Sequence, residues 1–591
     1  MSLSVAQSIA FSGLSATSVQ ISVASANISN ADTKGYTQKT ANQASSVTGG
    51  VGTGVTVTGI TSTVDKLLLK ALVAATSDLG AADTNNSYLT QLAQLYGSTA
   101  SANSSTTGTS LANTIAAFQT ALSSLASTPG SASLQANAIS ALDAVTSQLQ
   151  QTSSGIQTLR ANADQDIASS VSDINSDLQQ ISDLNKQIKQ EAAAGQSTAD
   201  LEDQRNSALQ DLSSMMNVSY FTASNGDIQV YSGSGQALVD STAHPLSYTA
   251  ASNVTASTTY VAGSSSSGFS GITVNGVDIT SQISSGKVSA LITLRDQTLP
   301  AAQSQLDQLA TQFAASVNAV SNQGTSVPPP ASLTGTASVT SATPLSASGT
   351  VRIAVADKSG NLVSYKDLDL SSYATVGDLV TAINGISGLS ASVDANGHLA
   401  ISATGSGNGV AINEMTSSVG GAGEGFSDYF GLNDLVTGTG ASDIAVRSDI
   451  LSGTAALPTA TLDASSTLTA GSQVLSPGSA TVVNALLSTL TGSTNFAMAG
   501  GLGATTSSFT DYAAAIVANV AGKATQASAT YTAKQTAQST YANSLSSQSG
   551  VNIDEETANL STLQNKYAAA SQLIQVINSM FTSLITAMQA S

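Results

Sequence analysis

No cysteine and no tryptophan occur in the chain, and histidine occurs only twice. The missing thiols exclude disulfides, thiol catalysis and cysteine-ligated metal. His244 and His398 share no metal-ligand spacing, and no H-E-x-x-H pattern is present. Each reads as a loop or strand residue. Gly421-Ala422-Gly423-Glu424-Gly425 has the wrong spacing for a dinucleotide fingerprint. Asp394-Ala395-Asn396-Gly397 lacks the rest of a calcium loop and reads as a hairpin turn. No Walker A or nucleophile-elbow pattern appears. The expectation is therefore no catalytic, metal or cofactor-binding site, no cofactor, and no enzyme. Long apolar runs are missing too. The nearest, 567–591, is broken by Gln572, Gln575 and Asn578, so no membrane span is expected. The first twenty residues lack a basic n-region, so export, if it occurs, is expected to use a route without a cleavable signal peptide.

Charge is the scarcest commodity. Asp, Glu, Lys and Arg make up 9% of the 591 residues, and aromatics 4%, whereas an average soluble domain is about 25% charged. Ser, Thr, Ala, Gly, Asn and Gln fill the difference. A surface of this kind can pack against copies of itself without desolvating many ions, which is the costly part of burying charge. The net charge of −19 leaves no basic footprint for nucleic acid and no attraction to an anionic membrane.

The length implies several domains. Residues 1–31 read as a helix with no charge before Asp32. Phe11, Leu14, Ile21 and Ile28 form one stripe, with Ile9, Ala16, Val19, Val23 and Ala26 beside it. Val55 to Ile60 alternates like a strand. Helices return over 64–217. Ile167, Val171, Ile174, Leu178, Ile181, Leu184 and Ile188 make one extended apolar seam of coiled-coil type. Asn225-Gly226, Asn275-Gly276 and Asn396-Gly397 are hairpin signals. Residues 287–322 read as helix, 376–383 as a short helix, and 405–425 as a glycine-rich loop. A final helix carries Leu560, Leu563, Tyr567, Ala570, Ile574, Ile577, Phe581, Leu584 and Met588 at spacings of three and four, with no charge after Lys566.

The fold class expected is α+β and multidomain. The N- and C-terminal helices pair into a coiled-coil-like stalk, joined to a helical bundle domain with inserted β-rich outer domains. The expected partition is a terminal assembly domain (1–63 and 545–591), a helical stalk domain (64–217, 286–327 and 505–544), a small β domain (218–285) and a second β-rich domain (333–500). The assembly interface is placed on Phe11, Leu14, Ile21, Ile28, Leu560, Leu563, Tyr567, Ile574, Ile577, Phe581, Leu584 and Met588. A helix so poor in charge reads either as buried in a globular core or as buried between subunits, and burial in neighbouring copies is the expectation.

Two motifs flank these stripes. Asn27-Ile28-Ser29-Asn30-Ala31-Asp32-Thr33-Lys34-Gly35-Tyr36-Thr37 reads as a helix end and a turn, after which Tyr36 can pack back on the helix. Ser549-Gly550-Val551-Asn552-Ile553-Asp554-Glu555-Glu556 opens the last helix. Its carboxylates read as caps for first-turn amides and complements to the helix dipole. Together the two resemble the terminal signatures of the flagellar rod, hook and hook-associated protein family, through Asn27, Asn30, Gly35, Tyr36, Gly550, Asn552, Asp554, Glu555 and Glu556. The helix with Leu201-Glu202-Asp203-Gln204-Arg205-Asn206 is similar to a helix of the hook-associated members, with Asn206 in place of their aspartate.

The resemblance implies a non-enzymatic structural subunit at the junction of hook and filament, extracellular and exported by the flagellum's own type III pathway. It implies as partners further copies of the chain in a ring, the hook protein, hook-associated protein 3, and an export chaperone on the C-terminal helix. The alternatives are the hook protein itself, or a secreted adhesin-like binding protein.

Overall fold

The computed structural model describes residues 3–48, 50–98, 108–264 and 267–590; Met1 and Ser2, counted in the expected first helix, lie outside them. The chain is α+β and divides into two compact units. One comprises Met1–Tyr88, Ala161–Asp296 and Thr525–Ser591, the other Leu89–Arg160 and Gln297–Ala524. Three helices, Lys66–Leu95, Ala132–Ala193 and Phe509–Ser549, contribute residues to both.

In the first unit, the first helix (Leu3–Ser29) is followed by a two-stranded hairpin, Lys39–Thr48 with Val51–Ser62. The second strand was legible from its alternation. The first was not, because Thr40 to Ser46 carries almost no apolar residue. The seam from Ile167 to Ile188 is buried throughout. Its helix stops at Ala193, two residues before Gly195, which takes a left-handed φ of +69°. The returning helix is Ala199–Met215. Small sheets follow. In one of them Asn275 (φ 49°) and Gly276 (φ 78°) make the two-residue hairpin turn expected of this dipeptide. By length and composition alone, Leu3–Ser29 and the stretch Phe509–Ala590 are apolar enough to cross a membrane. The first, however, packs on both the hairpin and the last helix, Ile553–Ala590.

The helical run expected over 287–322 is present but contains one π turn, Leu294–Thr298. Its Arg295 is wholly buried. Nη1 lies 2.9 Å from Asp164 Oδ1 and donates to the Tyr248 hydroxyl at 2.5 Å, while Nε and Nη2 fork onto Asp296 at 2.8 and 2.9 Å. The Phe269 ring sits 4.3 Å from the guanidinium. Burial, with Asp164 beside it, pushes the Tyr248 hydroxyl far above its ordinary range, so it stays a donor to Asp164.

In the second unit, Phe313 anchors the helices, meeting Phe118 edge-on at 6.2 Å and Phe509 at 5.8 Å between centroids. The β-rich part has two three-stranded sheets. Thr350–Asp357 is central between Leu362–Asp369 and Asn408–Asn413, and His398–Ala403 is central between Leu389–Val393 and Ser332–Ser338. A helix, Val376–Asn384, covers them, started by a reciprocal Thr375–Asp378 capping box. The strand Asn408–Asn413 corrects the reading of 405–425 as loop. Val410, Ala411 and Ile412 are buried, and the flanking glycines masked a three-residue apolar core.

Replacing Arg295 with Met is expected to destabilise the first unit by about 3–5 kcal/mol, because the Asp164 carboxylate is left buried without its cation. Asp296→Asn, on the more exposed partner, should cost clearly less. Urea unfolding, together with exchange of the Ala251 amide that bonds Asp164 at 2.6 Å, measures both.

Candidate assembly site

The first helix ends where Asn30 N reaches back to Ala26 O at 3.0 Å. Thr33 N to Asn30 O (2.9 Å) and Tyr36 N to Thr33 O (3.1 Å) close the turn. Gly35 supplies its left-handed residue at φ +82°. The chain therefore doubles back, and the Tyr36 hydroxyl donates to Asn27 Oδ1 at 3.0 Å. Asn27 is 1% exposed, so its amide needs every partner it can have. Oδ1 also accepts Lys39 N at 3.0 Å, while Nδ2 donates to Lys39 O at 2.9 Å and to Glu556 Oε1 at 3.2 Å. All four hydrogen-bonding positions of the amide are filled.

The next residues tie in the middle of the chain. Thr37 donates through N (2.9 Å) and Oγ1 (2.7 Å) to the two oxygens of Asp203. The Lys39 ammonium, 5% exposed, pairs with Asp203 and lies 3.3 Å from Asp200. It also sits 3.8 Å over the Tyr36 ring. Burial, then Asp200, Asp203 and Glu556, push the Tyr36 hydroxyl up to about 12, so it remains protonated at neutral pH. Two residues on, Arg205 turns the other way, donating to Asn185 Oδ1 (2.8 Å) and Gly226 O (3.0 Å).

The C-terminal motif closes the site. Gln38 N bonds Ser549 O at 2.8 Å, and Gln38 Nε2 donates to Glu556 Oε1 at 2.6 Å. At Gly550 a Cβ would stand 2.4 Å from Ser546 O, so only glycine fits this break between helices. The carboxylates were expected to cap the last helix. Asn552 does so instead, its Oδ1 accepting Asp554 N (3.1 Å) and Glu555 N (3.3 Å). Asp554 and Glu555 stay exposed in the first turn, where their charge suits the helix dipole. Glu556 turns inward and is 3% exposed. Residues 31–37, Leu69, Leu72, Leu545 and Val551 line an adjoining cavity of about 320 Å³.

The three segments singled out in the sequence thus converge on one polar knot. Lys39 and Gln38 were missed. A signal existed: Lys39 is the lone charge between Gly35 and Val64, and an isolated lysine in a β stretch asks for a carboxylate. Its partner lies 164 residues away, beyond any local pattern.

From this knot the first and last helices run side by side and antiparallel, since Gln7 Nε2 meets Asn578 Oδ1 at 3.2 Å as Asn27 meets Glu556. On the first helix Ala10, Ala16, Thr17, Val23, Ala24 and Asn27 are buried. Leu14, Ile21 and Ile28 are half-buried, and Phe11 is exposed. On the last helix Leu563 and Ile577 are buried, Leu560, Ile574 and Phe581 half-buried, and Tyr567, Leu584 and Met588 exposed. Leu573, Val576, Met580 and Ile585, outside the expected stripe, are exposed as well.

Asp203→Ala is expected to cost about 3–5 kcal/mol, because it leaves the Lys39 ammonium buried without its main partner and removes both bonds to Thr37. Lys39→Met leaves a carboxylate still holding Thr37 and should cost less. Thermal unfolding of the two variants ranks them; equal losses would show that the Thr37 bonds contribute nothing.

Comparison with known proteins adds an independent line. Residues 89–330 match the model for the flagellar hook-associated protein FlgK helical domain. Residues 8–37 match that for flagella basal body rod proteins, 543–587 that for the flagellar basal body rod FlgEFG protein C-terminal region, and 350–405 the flagellin hook IN motif. Flagellar hook-associated protein 1 of Escherichia coli K12 is 28% identical over 98% of both chains. That of Salmonella typhimurium is 27% identical over 53% of this chain and 56% of its own. A solved structure of the flagellar hook junction protein FlgK from Burkholderia pseudomallei, 19% identical, covers 80% of this chain and 98% of that one at a TM-score of 0.45. The rod-type matches fall on the two segments that form the knot, the hook-associated match spans the helices between them, and the Escherichia coli relative aligns almost end to end: the chain belongs to the flagellar hook-associated protein 1 family.

Proposed function

We propose that this chain is a non-enzymatic structural subunit of the bacterial flagellum, joining the hook to the filament, and that it assembles through its first and last helices. The observation that carries the assembly reading is the outer face of the last helix. Leu573, Val576, Met580, Leu584, Ile585 and Met588 are each more than half exposed, and no charge follows Lys566. A contiguous apolar face of this kind marks an interaction surface. One neighbouring helix covers only one side of it, so further copies in a ring supply the rest.

In this reading residues 1–63 and 545–591 form the assembly domain, a coiled-coil-like stalk held at its base by the polar knot. Residues 64–217, 286–327 and 505–544 are the helical stalk, and 218–285 and 333–500 are β-rich excursions from it. The hook protein and hook-associated protein 3 are the neighbours on either side. An export chaperone covers the C-terminal helix before the chain leaves the cell. The face that serves the chaperone first serves the neighbouring subunits afterwards.

Leu584→Glu with Met588→Glu tests this directly. Both side chains are largely exposed, so the unfolding midpoint of the lone chain should stay within about 0.5 kcal/mol of the parent. Incorporation into flagella, scored by electron microscopy and by filament protein shed into the medium, should fall at least tenfold, taking the loss of two buried apolar contacts at ~1.5–3 kcal/mol each. Cells lacking the gene should carry intact hooks without filaments. Missing hooks would identify a hook protein, and normal flagella an adhesin.

A further inference from the structure

The two terminal helices pair through faces that repeat. On the first, Ala10, Thr17 and Ala24 are buried at seven-residue intervals. On the last, Glu556, Leu563 and Ile577 are buried on one seven-residue line, with Ala570 and Leu584 on the same line. A slide of one heptad, about 10 Å at 1.5 Å per residue, returns small residues to large ones and large to small. Neither helix carries a charge within this seam apart from Glu556. Apolar packing therefore discriminates poorly between registers, as in any coiled coil with a uniform seam.

Two polar contacts break the repeat: Gln7 with Asn578, which is exposed, and a buried one at Glu556. Glu556 occupies the position that leucine and isoleucine take further along, and its Oε1 accepts Asn27 Nδ2 at 3.2 Å and Gln38 Nε2 at 2.6 Å. Its other oxygen, Oε2, is buried without a partner, so the contact is poor as a source of stability. Sliding one heptad in one direction sets Asn27 against Leu563. Sliding in the other sets Glu556 against Gln20 and carries Asn27 past the start of the last helix. In the first case Glu556 loses both donors that compensate its burial, and in the second it exchanges Asn27 and Gln38 for the single amide of Gln20. The Gln38 N to Ser549 O bond pins the preceding segment only.

We infer that Glu556, held by Asn27 and Gln38, is the positioning residue that fixes the register of the terminal helix pair. A single buried polar group at a seam position sets register in this way elsewhere. The inference concerns the lone chain, so it stands or falls separately from the proposed role in the flagellum.

The absence of native cysteine makes the register readable by disulfide capture. In the full-length purified chain, Gln7→Cys is combined with Ser571→Cys, Asn578→Cys or Ile585→Cys, and oxidised yields are compared. With Glu556 intact, the 7/578 pair should dominate the heptad-shifted pairs by at least tenfold, the ratio a hydrogen-bonded buried carboxylate supplies at ~1.5–3 kcal/mol. With Glu556→Leu, the three yields should come within about threefold of one another, while helix content is kept. Glu556→Gln, which retains the acceptor, should restore the dominance of 7/578. Unchanged dominance of 7/578 in Glu556→Leu overturns the inference, as does any parent chain in which the shifted pairs already match 7/578. A Glu556→Leu chain that loses its helices also overturns it, because the residue would then be holding the fold rather than the register.

Discussion

A lysine ammonium that is only 5% exposed cannot persist without a fixed counter-charge, and the organisation of the first unit follows from that constraint. Lys39 requires Asp203, which requires the helix Ala199–Met215 to lie against the turn. Asn27 requires both backbone groups of Lys39 and the side chain of Glu556. Each of these groups is buried, and none is satisfied unless the others are in place. The first helix, the middle of the chain and the start of the last helix are thereby made into one structural decision. In a chain with so few charges, those that are buried gather at this knot and at a few others, such as the pairs around Arg295 and Arg352. Ion pairs of this kind add little net stability, because desolvation cancels most of the attraction. Their strength is that the wrong arrangement costs several kcal/mol.

Much of this was readable beforehand, and the parts that were not share a cause. The seam from Ile167 to Ile188 was legible because its apolar residues contrast with charged or amide neighbours. The Asn-Gly turns were legible because positive φ has a small vocabulary. Burial on the first helix was harder. Its large residues, Phe11, Leu14, Ile21 and Ile28, read as one stripe with Ile9, Ala16, Val19, Val23 and Ala26 beside it, yet of these only Ala16 and Val23 are buried, together with Ala10, Thr17, Ala24 and Asn27. In a helix with no charge, hydrophobic contrast around the circumference is low, and the face of closest approach is chosen by small size. The strand Asn408–Asn413 was hidden by flanking glycines. The capping by Asn552 was hidden by three carboxylates that look better suited to it.

The candidate site divides in the same way. Its three motifs could be read one by one, and the pairing of the two terminal helices was expected, but the docking of the middle segment and the residue contacts could not be read. Asn27 and Glu556 are separated by 529 residues, and Lys39 and Asp203 by 164. Nothing in local periodicity encodes such pairings. What the sequence does encode is need: an isolated lysine in an uncharged ribbon, an asparagine inside an apolar stripe, a glutamate on a leucine line. Each is a polar residue where its surroundings predict none, and each found another of the same kind.

The polar knot and the apolar face sit at opposite ends of the last helix, and that separation has a physical reason. Specificity requires groups whose mispairing is costly, so it belongs where the chain is already enclosed and water is excluded. Adhesion between subunits requires area without desolvation cost, so it belongs where the chain is open and free of charge. Mixing the two would harm both. A charge on the outer face of 573–588 would have to be desolvated at every contact with a neighbour. If Glu556 sets the register, an all-apolar base lets the helix pair slide and presents that face out of phase. In the proposed assembly the net charge of −19 serves both ends, because carboxylates elsewhere on the surface repel free copies while the uncharged face is left unobstructed.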